Sequence, residues 1–240
     1  MGLNLTRNYS INFSLPKRSK KLIKFIVIHY TGMKKQSEAI NRLSDYKAKV
    51  SSHYFVTNEG KILNLVPDLY EAWHAGESSW RKFKSLNKYS IGIEINNPGH
   101  DYQYKYFSKK QISSTIKLLK NLMKKYNIKK QDILGHSDIS PNRKKDPGEK
   151  FPWKKLAKKN LSVWHNLNEA KIKKFRNHKL KHNEVKIFFQ KLHKIGYRKS
   201  GKIAKKLEEI NLVKAFQRKF RQSLVNGKVD KECYLISKNL

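Results

Sequence analysis

The sequence contains a single cysteine, Cys233, in 240 residues. An intramolecular disulfide is excluded, and the thiol says little about redox compartment. No apolar run reaches the roughly 20 residues of a membrane span. The N-terminal stretch MGLNLTRNYSINFSLPKRSKK has neither the apolar core of a secretory leader nor a cysteine for lipid attachment. These absences set the expectation of a cytoplasmic chain, with the periplasm or cell envelope as the alternative. Acidic residues are scarce: 18 Asp and Glu stand against 54 Lys and Arg, a formal net charge of +36. A field this positive attracts polyanions, whether nucleic acid, anionic lipid or a carboxylate-bearing polymer. Lysine greatly outnumbers arginine, however, and is spread through every segment. Bidentate reading of bases and phosphates leans on arginine, so the composition fits poorly with sequence-specific nucleic-acid binding.

A chain of this length buries one sizeable core, or one core and a small satellite. FIVIHY, Phe25 to Tyr30, is a branched apolar run that predicts a buried strand with His29 near its C-terminal end. Ser37 precedes a predicted helix through Ala39, Ile40 and Leu43. HYFVT, then Asn58-Glu59-Gly60, then KILNLV predict strand, turn and strand. In SIGIEIN a period of two sets Glu94 opposite Ile91, Ile93 and Ile95, so its carboxylate meets either solvent or a site. Ser108 and Gln111 have the spacing of a capping box ahead of Ile112, Ile116, Leu119 and Met123, which predicts a helix to about Tyr126. DILGH then predicts a short strand delivering His136. The alternation gives the fold class α/β, a mixed β-sheet flanked by helices.

Composition shifts after Phe151-Pro152-Trp153, and the expected organisation is a first domain over 1–165 and a small three-helix domain over 171–240. Asn183 is expected to cap a helix burying Val185, Phe188, Phe189 and Leu192, with Gly196 as its stop. A second helix carries Ile210, Val213, Phe216 and Phe220, and Asp230 caps a third. Cys233 lies far along the sequence from His29 and His136 and reads as a packed small residue, not a ligand.

The most informative stretch is GHSDISPNRKKDPG, Gly135 to Gly148, which sets His136 and Asp146 on one segment punctuated by Pro and Gly. With His29 it supplies two imidazoles and a carboxylate, the ligand set of a zinc site that keeps one coordination position open. Four further blocks accompany it in order: FIVIHYTG, SSHYFVTNEGKI, AWHAGESSW and SIGIEINN. Together these blocks, from Phe25 to about Trp153, resemble the zinc-dependent N-acetylmuramoyl-L-alanine amidases of the amidase-2 family, which include the AmpD-like enzymes of peptidoglycan recycling.

The resemblance implies a mixed sheet with helices packed on it and one Zn²⁺ held by His29, His136 and Asp146. It implies hydrolysis of the amide between muramic acid and L-alanine, in peptidoglycan or in anhydro-muropeptide fragments. Glu94 stands at the family's general-base position, and its isoleucine neighbours are expected to raise its pKa by desolvation. Lys144, two residues before Asp146, is the expected oxyanion stabiliser, with Arg143 and Lys145 as competing cations. His53, Trp73 and His74 fall within the blocks and are expected to line the cleft, and Asn96 and Asn97 to bond substrate amides. EVKIFFQKLHKIGY, LVKAFQRKF and NGKVD resemble the peptidoglycan-binding domain that often follows such amidases. The competing readings are a wall-binding or sensing module with a vestigial metal site, and a nucleic-acid-associated protein driven by charge alone.

Overall fold

The computed structural model describes residues 5–7 and 9–240. Its strands are β1 (Leu5–Arg7), β2 (Phe13–Ser14), β3 (Phe25–Tyr30), β4 (Tyr54–Val56), β5 (Ile62–Asn64), β6 (Glu71–Ala72), β7 (Ser79–Trp80), β8 (Phe83–Lys84), β9 (Ser90–Ile95) and β10 (Ile133–Gly135). Its α-helices are α1 (Gln36–Ser44), α2 (Lys109–Tyr126), α3 (His136–Ile139), α4 (Trp153–Ala157), α5 (Glu169–Lys173), α6 (His182–Ile195), α7 (Lys205–Phe220) and α8 (Lys231–Lys238). Six strands form one sheet in the order β1-β5-β4-β9-β3-β10. Strands β4, β9, β3 and β10 run parallel, while β5 pairs antiparallel to β4, so the sheet is mixed. Among the described residues no helix is long and apolar enough to cross a membrane.

Alternation along the strands assigns the two faces. Ile26 and Ile28 of β3, Ile91, Ile93 and Ile95 of β9, and Ile133 of β10 meet Ile112, Ile116, Leu119 and Leu122 of α2 with Trp153 and Leu156 of α4. Each such side chain, fully buried, stabilises the fold by about 1.5–3 kcal/mol. Helix α2 starts at the predicted capping box: Ser108 Oγ accepts from Gln111 N at 3.1 Å and Gln111 Oε1 accepts from Ser108 N at 3.0 Å.

The opposite face is covered by two separate groups. Toward β4 and β5, Ala39 and Leu43 of α1 pack on Phe55, Leu63 and Leu65. Toward β3 and β10, Phe25, Val27 and Leu134 share a cluster with Phe188, Leu212, Phe216 and Phe220 of α6 and α7. The gap between the two groups lies over the C-terminal ends of β3 and β9, the usual place for a site in a sheet of parallel strands.

Residues 171–240 hold the three predicted helices, α6 to α8, and the start of this region also holds most of the short α5. Gly196 ends α6 with φ +146°, and Asp230 caps α8 by accepting from Cys233 N at 2.9 Å. Asn183 does not cap α6. The helix begins two residues earlier than such a cap would set it, at His182, where Glu184 reaches back to accept from Lys181 N at 3.0 Å, and Asn183 is exposed in the first turn.

One buried ion pair ties α7 to the sheet's far edge. Lys219 Nζ donates to Asp138 Oδ2 at 2.9 Å and to the Ile133 carbonyl at 3.0 Å, and both side chains are almost fully buried. Asp138 also accepts from Tyr197 Oη at 2.7 Å and from Gly135 N at 2.8 Å, the residue preceding His136. Removing one partner of such a pair strands a buried charge. Lys219→Ala is expected to lower unfolding free energy by about 3–5 kcal/mol, read from the denaturant midpoint. A loss below about 1 kcal/mol, the size of a surface pair, would show that Asp138 does not depend on Lys219.

Candidate active site

The β3–β9 pairing puts His29 directly beside Glu94, so both side chains leave the same face of the sheet. His136 opens α3 at the end of neighbouring β10, and Ser137 N donates to the Asp146 carbonyl at 2.8 Å, which draws the following loop back over the strand ends. These connections bring together residues more than a hundred positions apart. His29 Nδ1 lies 2.9 Å from His136 Nδ1 and 3.0 Å from Asp146 Oδ2, and His136 Nδ1 lies 3.1 Å from the same oxygen. His29, His136 and Asp146 are all buried.

The geometry of this trio tests its fitness for a metal. His136 Nε2 faces the Ala75 carbonyl at 3.0 Å, an acceptor only, so a neutral His136 carries its proton there and presents a bare Nδ1 to Asp146. A lone pair facing a carboxylate oxygen at 3.1 Å is repulsive unless a cation sits between them. Zinc bonds to imidazole nitrogen and carboxylate oxygen at about 2.0–2.2 Å, and three donors at these separations can all lie that far from one point. The donors therefore fit a zinc ion. Burial, and then the neighbouring His136, lower the pKa of His29 to about 4, which keeps it neutral and free to ligate at pH 7.

Glu94 lies beside the trio with Oε2 shut from solvent and without a hydrogen-bond partner among the described residues. Burial raises its pKa well above the usual carboxylate value, the Asp146 charge adds to this, and Lys144 opposes it. The expected cause needs correcting. Ile91, Ile93 and Ile95 pack on the opposite face with α2, so the desolvation arises on the cleft side of β9.

Lys144 is half-buried, lines the cleft and forms no ion pair among the described residues. Its rivals are otherwise engaged. Arg143 donates to the Ala75 and Glu77 carbonyls at 3.1 and 2.6 Å, stapling the loop that orients His136, and exposed Lys145 reaches Asp101 at 3.5 Å. The cleft has a volume of about 430 Å³, with His29, Glu94 and Asp146 on its lining and Arg42, Leu43 and Trp73 on its wall. A larger cavity of about 610 Å³ at the opposite end of β3 is lined by Lys20, Lys24, Arg81 and Lys129, and its Asp132 is already paired with Arg81 at 2.8 Å. It offers none of this chemistry.

The other predicted site residues separate. Trp73 and His74 line the cleft. Trp73 Nε1 donates to Ser14 Oγ at 2.9 Å, which fixes the indole. Asn96 and Asn97 are buried beside the cleft in loop contacts: Asn96 Nδ2 donates to Asn58 Oδ1 at 2.9 Å and Asn97 Nδ2 to the Lys105 carbonyl at 2.8 Å. His53 lies beneath the floor, with Nδ1 accepting from Gly92 N at 2.9 Å and Nε2 facing the Tyr70 carbonyl at 3.0 Å. Sequence reasoning missed Ser90, Gly92 and Asp138. The first two could have been found, because Ser90, Gly92 and Glu94 alternate on one face of β9.

Burial, and then Arg18, lower the pKa of His53 to about 3. Its unfolded value is about 6.5. Between those values the unfolded chain binds the extra proton, so stability is complete above about pH 6.5 and falls as pH drops toward 3. From pH 6.5 to 4 this one imidazole is expected to remove about 3 kcal/mol. In His53→Asn the slope of unfolding free energy against pH should fall by about one proton, and an unchanged slope would contradict a neutral buried His53.

Residues 18–149 match the family model described as N-acetylmuramoyl-L-alanine amidase. The chain is 35% identical over 232 residues to the N-acetylmuramoyl-L-alanine amidase AmiD of Escherichia coli (strain K12), covering 91% of this chain and 82% of the relative. It is 38% identical over 115 residues to the 1,6-anhydro-N-acetylmuramyl-L-alanine amidase AmpD of Haemophilus influenzae, where the match spans 46% of this chain and 58% of the relative. Among solved structures, the complex of E. coli AmiD with anhydro-N-acetylmuramic acid-L-Ala-D-gamma-Glu-L-Lys superposes with a TM-score of 0.80 at 32% identity, covering 95% of this chain and 91% of that one. AmpDh3 of Pseudomonas aeruginosa in complex with anhydromuramic pentapeptide gives a TM-score of 0.78 at 27% identity, covering 95% and 93%.

Proposed function

The chain belongs to the N-acetylmuramoyl-L-alanine amidase family, and from that membership we propose that it hydrolyses the amide joining N-acetylmuramic or anhydro-muramic acid to L-alanine in peptidoglycan or its fragments, with zinc as cofactor. The observation that carries this reading is the convergence of His29, His136 and Asp146 beside Glu94, whose buried Oε2 has no hydrogen-bond partner among the described residues. Relatives whose structures hold anhydro-muramyl peptides support the fragment as a substrate.

His29, His136 and Asp146 would hold the zinc, which when bound would supply Lewis acidity to an amide oxygen and to water. Glu94 accepts the proton of the attacking water, and its raised pKa suits it to return that proton to the departing nitrogen. Lys144 donates to the oxygen on which charge develops when the lactyl carbonyl is attacked. The C–N bond breaks, a carboxylate remains on the muramic acid, and the stem peptide leaves with a free amine. Trp73 offers a fixed apolar wall to sugar or peptide.

Residues 171–240 are proposed as a helical wall-binding unit, a reading supported by the sequence blocks around Phe189, Phe216 and Gly227. The large positive charge favours carboxylate-bearing polymer over a specific nucleic-acid site. The test is to measure zinc content together with release of stem peptide from purified anhydro-muropeptides and from intact sacculi. One zinc per chain with release from at least one substrate is expected. Stoichiometric zinc without release from either would leave only a binding module.

A further inference from the structure

The hydrogen bonds behind His29 form a chain with only one consistent assignment of protons. Ser90 Oγ lies 2.6 Å from the Leu86 carbonyl, which can only accept, so the hydroxyl proton points there. The Ser90 oxygen, 3.2 Å from His74 Nε2, is then left as an acceptor, and His74 carries its proton on Nε2. A neutral imidazole has a single ring proton, so His74 Nδ1 is bare. That nitrogen lies 3.1 Å from His29 Nε2 and accepts from it. His29, with its own proton on Nε2, turns a bare Nδ1 toward His136 and Asp146.

We propose that His74 is a positioning residue: through Ser90 it fixes the ring tautomer of His29, so that Nδ1 is delivered unprotonated to the metal. This rests on the metal-site reading above. The fold makes a dedicated place for the ring. A Cβ at Gly92 would stand 2.5 Å from His74 Cγ, so only glycine at that position of β9 leaves the slot open. The backbone of His74 is held as well, since Asn87 Oδ1 accepts from His74 N at 3.1 Å and from Ala75 N at 2.7 Å. Leu86 and Asn87 are neighbours, so one turn anchors both the ring and the main chain. The same stretch serves the second imidazole, because the Ala75 carbonyl sets the tautomer of His136. Two adjacent residues thus orient both histidine ligands, a His74 ring nitrogen and the Ala75 carbonyl being the outer acceptors.

The test uses the full chain and reads tautomers and zinc affinity, not hydrolysis. In metal-free protein labelled with ¹⁵N-histidine, two-bond ¹H–¹⁵N spectra should show His29 and His74 both protonated on Nε2. His74→Leu should weaken zinc binding about 10- to 100-fold. His74→Asn, whose Oδ1 can stand where Nδ1 stood, should recover most of that loss. Ser90→Ala, a small change that keeps the His74 ring, should give a mixture of His29 tautomers and an intermediate affinity, which covers the case in which His74→Leu fails to fold. A His29 without a proton on Nε2 in the wild type, or wild-type zinc affinity in both folded His74→Leu and Ser90→Ala, would overturn the assignment and leave the proposed hydrolysis untouched. A protein with the expected tautomers that binds zinc yet cleaves nothing would end the amidase reading and leave this one standing.

Discussion

Glu94→Gln is expected to lower kcat by about 10²- to 10⁴-fold, the range of a lost general acid–base group, while zinc stays at one per chain. Glutamine keeps the shape of the side chain and removes only its ability to take up a proton. No hydrogen bond to Oε2 is lost with the charge, because that atom has no partner among the described residues. The raised pKa is a sign of the same thing: burial and the nearby Asp146 oppose ionisation, and only Lys144 favours it. Removing a carboxylate held against its own charge should leave stability level or slightly raised. KM should change little, since substrate affinity does not depend on the proton acceptor. Activity within threefold of wild type would take Glu94 out of the proton-transfer role.

His136→Ala should act one step earlier, removing metal and turnover together. The substitution deletes one donor of three and also frees the Ala75 carbonyl, which Arg143 alone then holds. Zinc content after dialysis is expected to fall well below one per chain, and hydrolysis to fall at least as far as in Glu94→Gln. The two changes should not add. In a chain already lacking His136, Glu94→Gln should cost almost nothing further, because proton transfer matters only where the attack occurs. Full zinc occupancy in His136→Ala would place the ion elsewhere.

Periodicity made much of this molecule legible in its sequence. The unbroken apolar run in FIVIHY and the period of two in SIGIEIN report β3 and β9: a strand between two covered faces is apolar on both, and the polar positions His29 and Glu94 mark where one cover stops. The Ser108–Gln111 pair fixed the start of α2 because both partners of a capping box lie within four residues. Less local features escaped. The two-residue pairs β2–β6 and β7–β8 are too short to show a period. Helix α1 begins at Gln36, after a Lys35 that makes no side-chain cap, where Ser37 had suggested a later start. That Phe25 and Val27 are covered by α6 and α7 is a pairing across more than 150 residues, and strand composition shows only that some cover exists.

The site divides along the same line. The three donors were visible as residue types in blocks, and the structure brings them within 4.8 Å of one another. The outer contacts were not, because Ser90, Asp138 and Lys219 have ordinary identities that acquire meaning only from the atoms they face. Asn96 and Asn97 illustrate the reverse, polar residues next to the strand that carries Glu94 whose amides bond to neighbouring loops.

Titration of metal-free protein with zinc, while following release of stem peptide from a purified anhydro-muropeptide, tests the central claim most directly. Hydrolysis should be absent at the start, rise in proportion to added zinc, level off at one equivalent per chain and disappear again with a chelator. Undiminished hydrolysis by the metal-free chain, or the same titration curve from His136→Ala, would contradict it.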